Sequence, residues 1–229
     1  MINIIVMKRT FFTLICSIAL AAVFFSCSSD QITTSVTSPN GNIEVNFILS
    51  ESGQPAYIVT HKNEKVIDTS YMSFDFKDIP SLKDGFELLS SSMRTIDTSW
   101  EMPWGEQTIV KDNYNELTFN LKEKGELGRN FNICFRVYND GLGFRYEIPT
   151  MEGVTEILIT DENTEFNLTG DHKVWWIPGD WDIYEHLYNE TPFSEIDAIS
   201  KRDHPNLNAS YIPENAVNTP VTMKSNTGL

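Results

Sequence analysis

The most regular feature of this chain is an alternation of apolar and polar residues with a period of two. From residue 43 onward, Ile43, Val45, Phe47 and Leu49 take one side while Glu44 and Asn46 take the other. That is the pattern of a strand with one buried face. Ser52-Gly53-Gln54-Pro55 turns the chain into a second strand over 56–60, and Lys62-Asn63-Glu64-Lys65 into a third at Val66-Ile67. Segments 71–76 and 86–89 predict two more, parted by the turn-rich 80–85. Leu117, Phe119 and Leu121 alternate with Thr118 and Asn120; Phe131, Ile133, Phe135 and Val137 alternate with Asn132, Cys134 and Arg136. Asn139-Asp140-Gly141 offers residues that tolerate positive φ, so 142–148 is expected to return as a hairpin partner. Shorter strands are expected at 157–159, 165–167 and 173–177. Only 193–202 predicts a helix, with Ser194 as its cap. Short strands at intervals of roughly 8–12 residues predict an all-β sandwich or barrel.

The last predicted strand begins at 221 and Asn226-Thr227-Gly228 then opens a turn. A strand that turns without a partner leaves its ladder groups unpaired. The expectation is therefore of a domain cut short.

Composition narrows the function. The 229 residues carry a formal charge of −15, which repels the phosphates of nucleic acid and of anionic membranes. Neutral glycans and calcium are compatible with it. Lys8-Arg9, the apolar run 10–25 and Ser26-Cys27 form a secretory signal. With cysteine at the cut, the pattern resembles a bacterial lipoprotein signal, although Phe24 and Phe25 stand where Leu and a small residue are usual. Residues 1–27 are thus read as a signal with lipidation at Cys27, started at Met1 or Met7. The protein would be exported to the periplasm or outer membrane of a Gram-negative bacterium, touching membrane only through the lipid. Residues 28–37 read as a polar spacer and 38–229 as the β domain. Cys134 would be the one thiol left unmodified, excluding an intrachain disulfide.

Candidate chemistry gathers in Trp175-Trp176-Ile177-Pro178-Gly179-Asp180-Trp181-Asp182-Ile183-Tyr184-Glu185. Pro178-Gly179 ends a strand, and a loop of carboxylates and aromatics follows. Flat aromatic faces beside carboxylates suit a sugar, with its apolar ring face and hydroxyl rim. Carboxylates on a loop equally suit calcium, which takes oxygen ligands, or simply an acidic turn over core tryptophans. Asp180 and Asp182 fit either a sugar contact or a role in holding the loop. Trp100, Trp104 and Glu106 lie in a segment broken by Pro103 and Gly105, a sugar-facing rim or a packing surface. Arg145 and Glu147 suggest a cross-strand charge pair. His61, His172, His186 and His204 are scattered, and no zinc site, serine triad, phosphate loop or CxxC pair is assembled.

Five stretches in order resemble the N-terminal domain of glycoside hydrolase family 97. They are Ser38-Pro39-Asn40; Trp104-Gly105-Glu106; Asn113-Tyr114-Asn115-Glu116-Leu117; Tyr138 through Glu147; and Gly170-Asp171-His172 with Trp176 through Asp180. The resemblance implies an antiparallel β super-sandwich of the galactose-mutarotase-like kind, preceding a (β/α)₈ barrel and a C-terminal β domain. It implies exported, exo-acting α-glucosidases or α-galactosidases acting on α-linked oligosaccharides. It further implies an active-site Ca²⁺ held by glutamates, one from the N-terminal domain, which matches Glu185 here. The resemblance does not extend to a barrel, which would hold both catalytic carboxylates and the other calcium ligands. Because glycoside hydrolysis needs two carboxylates placed about the scissile bond, the expectation is a chain inactive by itself. The alternative is a free-standing surface lipoprotein that binds glycans through Trp100, Trp104, Trp181 and Tyr184 without cleaving them.

Overall fold

The structure, a computed structural model, describes residues 34–150, 156–202 and 209–225. The signal, Cys27 and the turn expected at 226–228 lie outside the described residues.

Two antiparallel four-stranded sheets form the body. One runs β1 (Ser35–Thr37), β2 (Ile43–Leu49), β3 (Pro55–His61), β4 (Glu64–Tyr71); the other runs β6 (Phe86–Glu101), β7 (Ile109–Glu123), β8 (Asn130–Tyr138), β9 (Leu142–Glu147). A separate ribbon pairs β5 (Phe74–Phe76) with β10 (Ile159–Glu162). The period of two explains the layering: Val45 and Phe47 from β2 meet Leu117, Phe119 and Leu121 from β7 and Phe131, Ile133, Phe135 and Val137 from β8 in one buried cluster. Phe47 and Phe119 stack across it with ring centroids 4.0 Å apart. This is the antiparallel β-sandwich expected. Strand pairing starts earlier than the alternation suggested, since β1 lies in the stretch read as spacer and buries Val36.

A second, smaller core forms under a three-stranded sheet ordered β12 (Asn189–Pro192), β11 (Lys173–Trp176), β13 (Thr222–Lys224). Val174, Trp176 and Ala198 are buried there, with Ile196, Val217, Val221 and Met223 against them. The last strand is therefore not partnerless. It pairs with β11 along Lys173↔Lys224, Val174↔Met223 and Trp175↔Thr222, which a sequence reading could not see because the two are separated by some fifty residues of chain.

Several local expectations change. The helix at 193–202 is a single 3₁₀ turn, Phe193–Glu195. Ile196 after it is extended, and a separate turn follows at 198–201, where Lys201 N–H donates to Ala198 O. Ser194 lies inside that turn; it donates its backbone N–H and its hydroxyl to the Asp171 carboxylate. The segment 71–76 divides, Tyr71 ending β4 and Phe74 starting β5. Residues 165–168 are not a strand but run along β4 through single bonds such as Asp68 N–H to Asn167 O. The 139–141 turn closes with no residue at positive φ, its Tyr138 N–H donating to Gly141 O. Arg145 and Glu147 pair along one strand, Nε to Oε1 at 2.8 Å, rather than across strands. Strands β6 and β7 are far longer than the apolar pattern showed, because the Ser- and Thr-rich run from 90 to 99 is exposed on both faces and has no alternation to read.

Gly53 ties the two sheets at one corner. Its φ is +78°, and a Cβ there would stand 2.5 Å from the Phe86 backbone. Only glycine allows that approach, which lets Phe86 N–H reach Gly53 O at 3.0 Å.

Candidate functional site

Strand β11 positions the loop of interest. Its inner residues anchor it: Trp176 is buried and donates Nε1–H to Thr191 Oγ1 at 3.0 Å. Gly179 lets the chain pass close to a neighbouring segment; a Cβ there would meet Ile212 Cδ1 at 2.9 Å and Ala216 O at 3.1 Å. Gly179 N–H donates to Ala216 O and Gly179 O accepts from Ile212 N–H, so the strand end is held on both sides before the loop begins.

Asp180 then organises the loop. It is 7 % exposed, and its Oδ1 accepts from the backbone N–H groups of Asp182 (2.9 Å) and Ile183 (3.1 Å). Its Oδ2 accepts from Ser210 N–H at 3.1 Å and lies 3.3 Å from His186 Nε2. Burial alone would raise this carboxyl; the bonds from Asp182, Ile183 and His186 outweigh burial and hold it below the usual carboxylate range. The loop is closed from outside by Asn218, which accepts from Asp180 N–H and donates to Ile183 O. The His186 ring lies against Tyr211, centroids 5.3 Å apart.

Of the two roles open to Asp180, these contacts support the one of holding the loop, since both its oxygens have partners within the protein. His186, which sequence reasoning set aside as scattered, is its partner. The signal available was the Asx-type turn chemistry of an aspartate just after Pro-Gly, with a histidine six residues on.

What the scaffold presents is different in kind. Trp181 is 70 % and Tyr184 79 % exposed; Asp182 and Glu185 are exposed beside them. Glu185 makes no hydrogen bond or ion pair with another described residue. A carboxylate left open on a loop that is fixed from beneath can serve an external ligand without reorganising. The other two predicted residues, Trp104 and Glu106, stand on a separate element. They occupy the tip of the β6–β7 hairpin, which extends beyond β8: the β7–β8 ladder ends at Tyr114↔Tyr138 while β6 and β7 stay paired to Glu101↔Ile109. Trp104 is 81 % exposed there.

Calcium takes six to eight oxygens. Among the described residues no group of three or more His, Cys, Asp or Glu is placed to hold a metal. Among those residues Glu185 offers a single open carboxylate with no cage of ligands around it.

Comparison with known proteins points in one direction. The family described as Glycosyl-hydrolase 97 N-terminal matches residues 36–229. A glycoside hydrolase family 97 enzyme from Pseudoalteromonas sp. strain K8 is similar in structure, with 32 % identity and a TM-score of 0.72 over 84 % of this chain and 27 % of that one. The same organism's family 97 enzyme in complex with panose gives 34 % identity and a TM-score of 0.68 over 71 % of this chain and 25 % of that one. A retaining alpha-galactosidase of Bacteroides thetaiotaomicron is 22 % identical over 140 residues, 61 % of this chain and 19 % of that protein. The chain thus spans between 19 % and 27 % of the length of these relatives.

Proposed function

We propose a function from a fixed premise: the chain belongs to glycoside hydrolase family 97, through its N-terminal domain. In this reading it is the carbohydrate-associated β-sandwich of a calcium-dependent, exo-acting α-glycosidase, either α-glucosidase or α-galactosidase. It is catalytically incomplete by itself and contributes Glu185 to the calcium shell of the complete enzyme. The single observation that carries this is Glu185 itself, exposed and without a described partner on a loop fixed by Asp180 and His186. When bound, calcium would supply a positive centre for oxygen ligands; the chain's own contribution is to hold one carboxylate in place and to bring Trp181 and Tyr184 beside it. An α-linked oligosaccharide as substrate is supported by the relatives solved with panose and acarbose.

The exposed strip Trp181, Tyr184, Leu187 and Tyr188 is the face that would meet a barrel domain. The test is a chimera joining residues 34–229 to the barrel of the Pseudoalteromonas enzyme. Glu185→Gln in it should weaken calcium binding by at least ~tenfold, reading one lost charged ligand, while the isolated chain turns over no aryl α-glucoside with or without calcium. Unchanged calcium affinity in the variant, or turnover by the pure chain, overturns the reading.

A second reading is favoured by the exposure of Trp104, Trp181 and Tyr184: a lipoprotein anchored at Cys27 on the cell surface that binds glycans without cleaving them. Globomycin treatment followed by mass spectrometry tests the anchor, and an unmodified Cys27 in exported protein would rule it out.

A further inference from the structure

We propose, resting on the reading of Glu185 as a calcium ligand, that His186 is the residue that positions it. His186 pins the far end of the loop, so that the Glu185 carboxylate is aimed before any ligand arrives. The two oxygens of Asp180 divide the loop between them. Oδ1 accepts from the N–H groups of Asp182 and Ile183 and fixes the near end. Oδ2 accepts from Ser210 N–H on the neighbouring segment and from His186 Nε2 at the far end. Among the described residues, His186 is the one position between Ile183 and the start of β12 at Asn189 that bonds outside that stretch. Tyr184, Leu187 and Tyr188 are exposed around it, and Glu185 has no described partner.

Glu185 therefore takes its direction from its neighbours in sequence. On its N-terminal side the anchor is Ile183, whose carbonyl accepts from Asn218. On its C-terminal side the anchor is the very next residue. The His186 ring is buried, with Nε2 3.3 Å from Asp180 Oδ2 and the ring lying against Tyr211, centroids 5.3 Å apart. Its partner is itself fixed: Asp180 is buried, and its N–H donates to Asn218. Without the bond at 186 the chain would be unheld from 184 to 188, and exposed residues with no bonds are the least ordered part of a fold. A ligand that needs one loop geometry then binds more weakly, by the fraction of time that geometry is populated. Pre-shaping the loop removes that cost. His186 belongs to neither apolar core, and the turn closed by Asp180 Oδ1 does not involve it, so losing its bond frees Glu185 and leaves the rest in place.

A pair of variants separates the bond from the packing. His186→Phe keeps a ring against Tyr211 and removes the nitrogen donor; His186→Gln removes the ring and restores a nitrogen donor at comparable reach. In the full chain, NMR relaxation of the Tyr184 and Glu185 amides should give order parameters of about 0.85 in the parent and in His186→Gln, and below about 0.6 in His186→Phe. In the chimera that carries the barrel, calorimetry should show calcium bound about tenfold more weakly by His186→Phe and with close to parental affinity by His186→Gln. A residue that served packing alone would give the opposite order, Phe as good as His and Gln the weaker, and that result overturns the proposal. Unchanged order at 184 and 185 in His186→Phe overturns it as well. Calcium affinity lost in Glu185→Gln but kept in His186→Phe overturns the proposal and leaves the calcium reading standing. Affinity unchanged in Glu185→Gln removes that reading, and the proposal with it.

Discussion

The Asp180 Oδ2 atom lies 3.3 Å from His186 Nε2, with both side chains buried. The two residues bracket the five-residue segment 181–185 that carries Trp181, Asp182, Tyr184 and Glu185, so the loop is closed by its own ends. The exposed groups are what the loop presents and the buried pair is its frame.

Asp180→Ala should therefore be costly, because the residue frames the loop. It leaves the N–H groups of Asp182, Ile183 and Ser210 without their acceptor in a part-buried setting. A loss of about 2–3 kcal/mol is expected in urea unfolding, with faster amide exchange at 182 and 183. Asp180 also adds an acid limit. Its folded carboxyl sits below the usual range, so its contribution is present above the unfolded value and fades as pH falls through the depressed one.

Glu116 sets a stronger acid dependence. Burial opposes its ionisation, but the N–H donors of Arg94 and Arg136 bring its pKa from 4.5 down to about 2. Above 4.5 both folded and unfolded chains carry the charge and the full stabilisation is present; below it the unfolded chain protonates first and the stabilisation fades toward pH 2. The contribution is at most on the order of 3 kcal/mol. Glu116→Gln should flatten the fall of stability between those pH values, as followed by circular dichroism melts.

The main core should be sensitive at the Phe47–Phe119 stack. Phe47→Ala removes a ring that is 5 % exposed and should cost about 3–5 kcal/mol. Denaturant midpoints with an unchanged slope would check that the fold itself is retained.

Glu185→Gln and Trp181→Ala should behave oppositely to Asp180→Ala. Both side chains are exposed, so stability should change by no more than about 0.5 kcal/mol. Under the glycan-binding reading, Trp181→Ala should also abolish retention on immobilised α-glucan, measured by affinity electrophoresis.

The sandwich was legible because its signal is local. Ile43 to Leu49 and Phe131 to Val137 alternate over most of their length, as a strand with one buried face does. The outer half of the β6–β7 hairpin was not, since Thr95, Asp97 and Ser99 are exposed and their pairing with Asn115, Asn113 and Lys111 rests on main-chain bonds that accept any side chain. The site was half legible. Aromatics and acids after Pro178-Gly179 marked the loop, but their division of labour was hidden, because Asp180 and Asp182 are the same residue type.

By itself the sequence determined the strands, the charge and the order of motifs that places this chain in its family, since each depends on near neighbours or on composition. Tertiary structure alone decided that β13 closes against β11, and that Asp180 turns inward to His186 while Glu185 turns outward. Those outcomes depend on which distant segments meet, and burial there, rather than residue identity, sets what each polar group has left to offer.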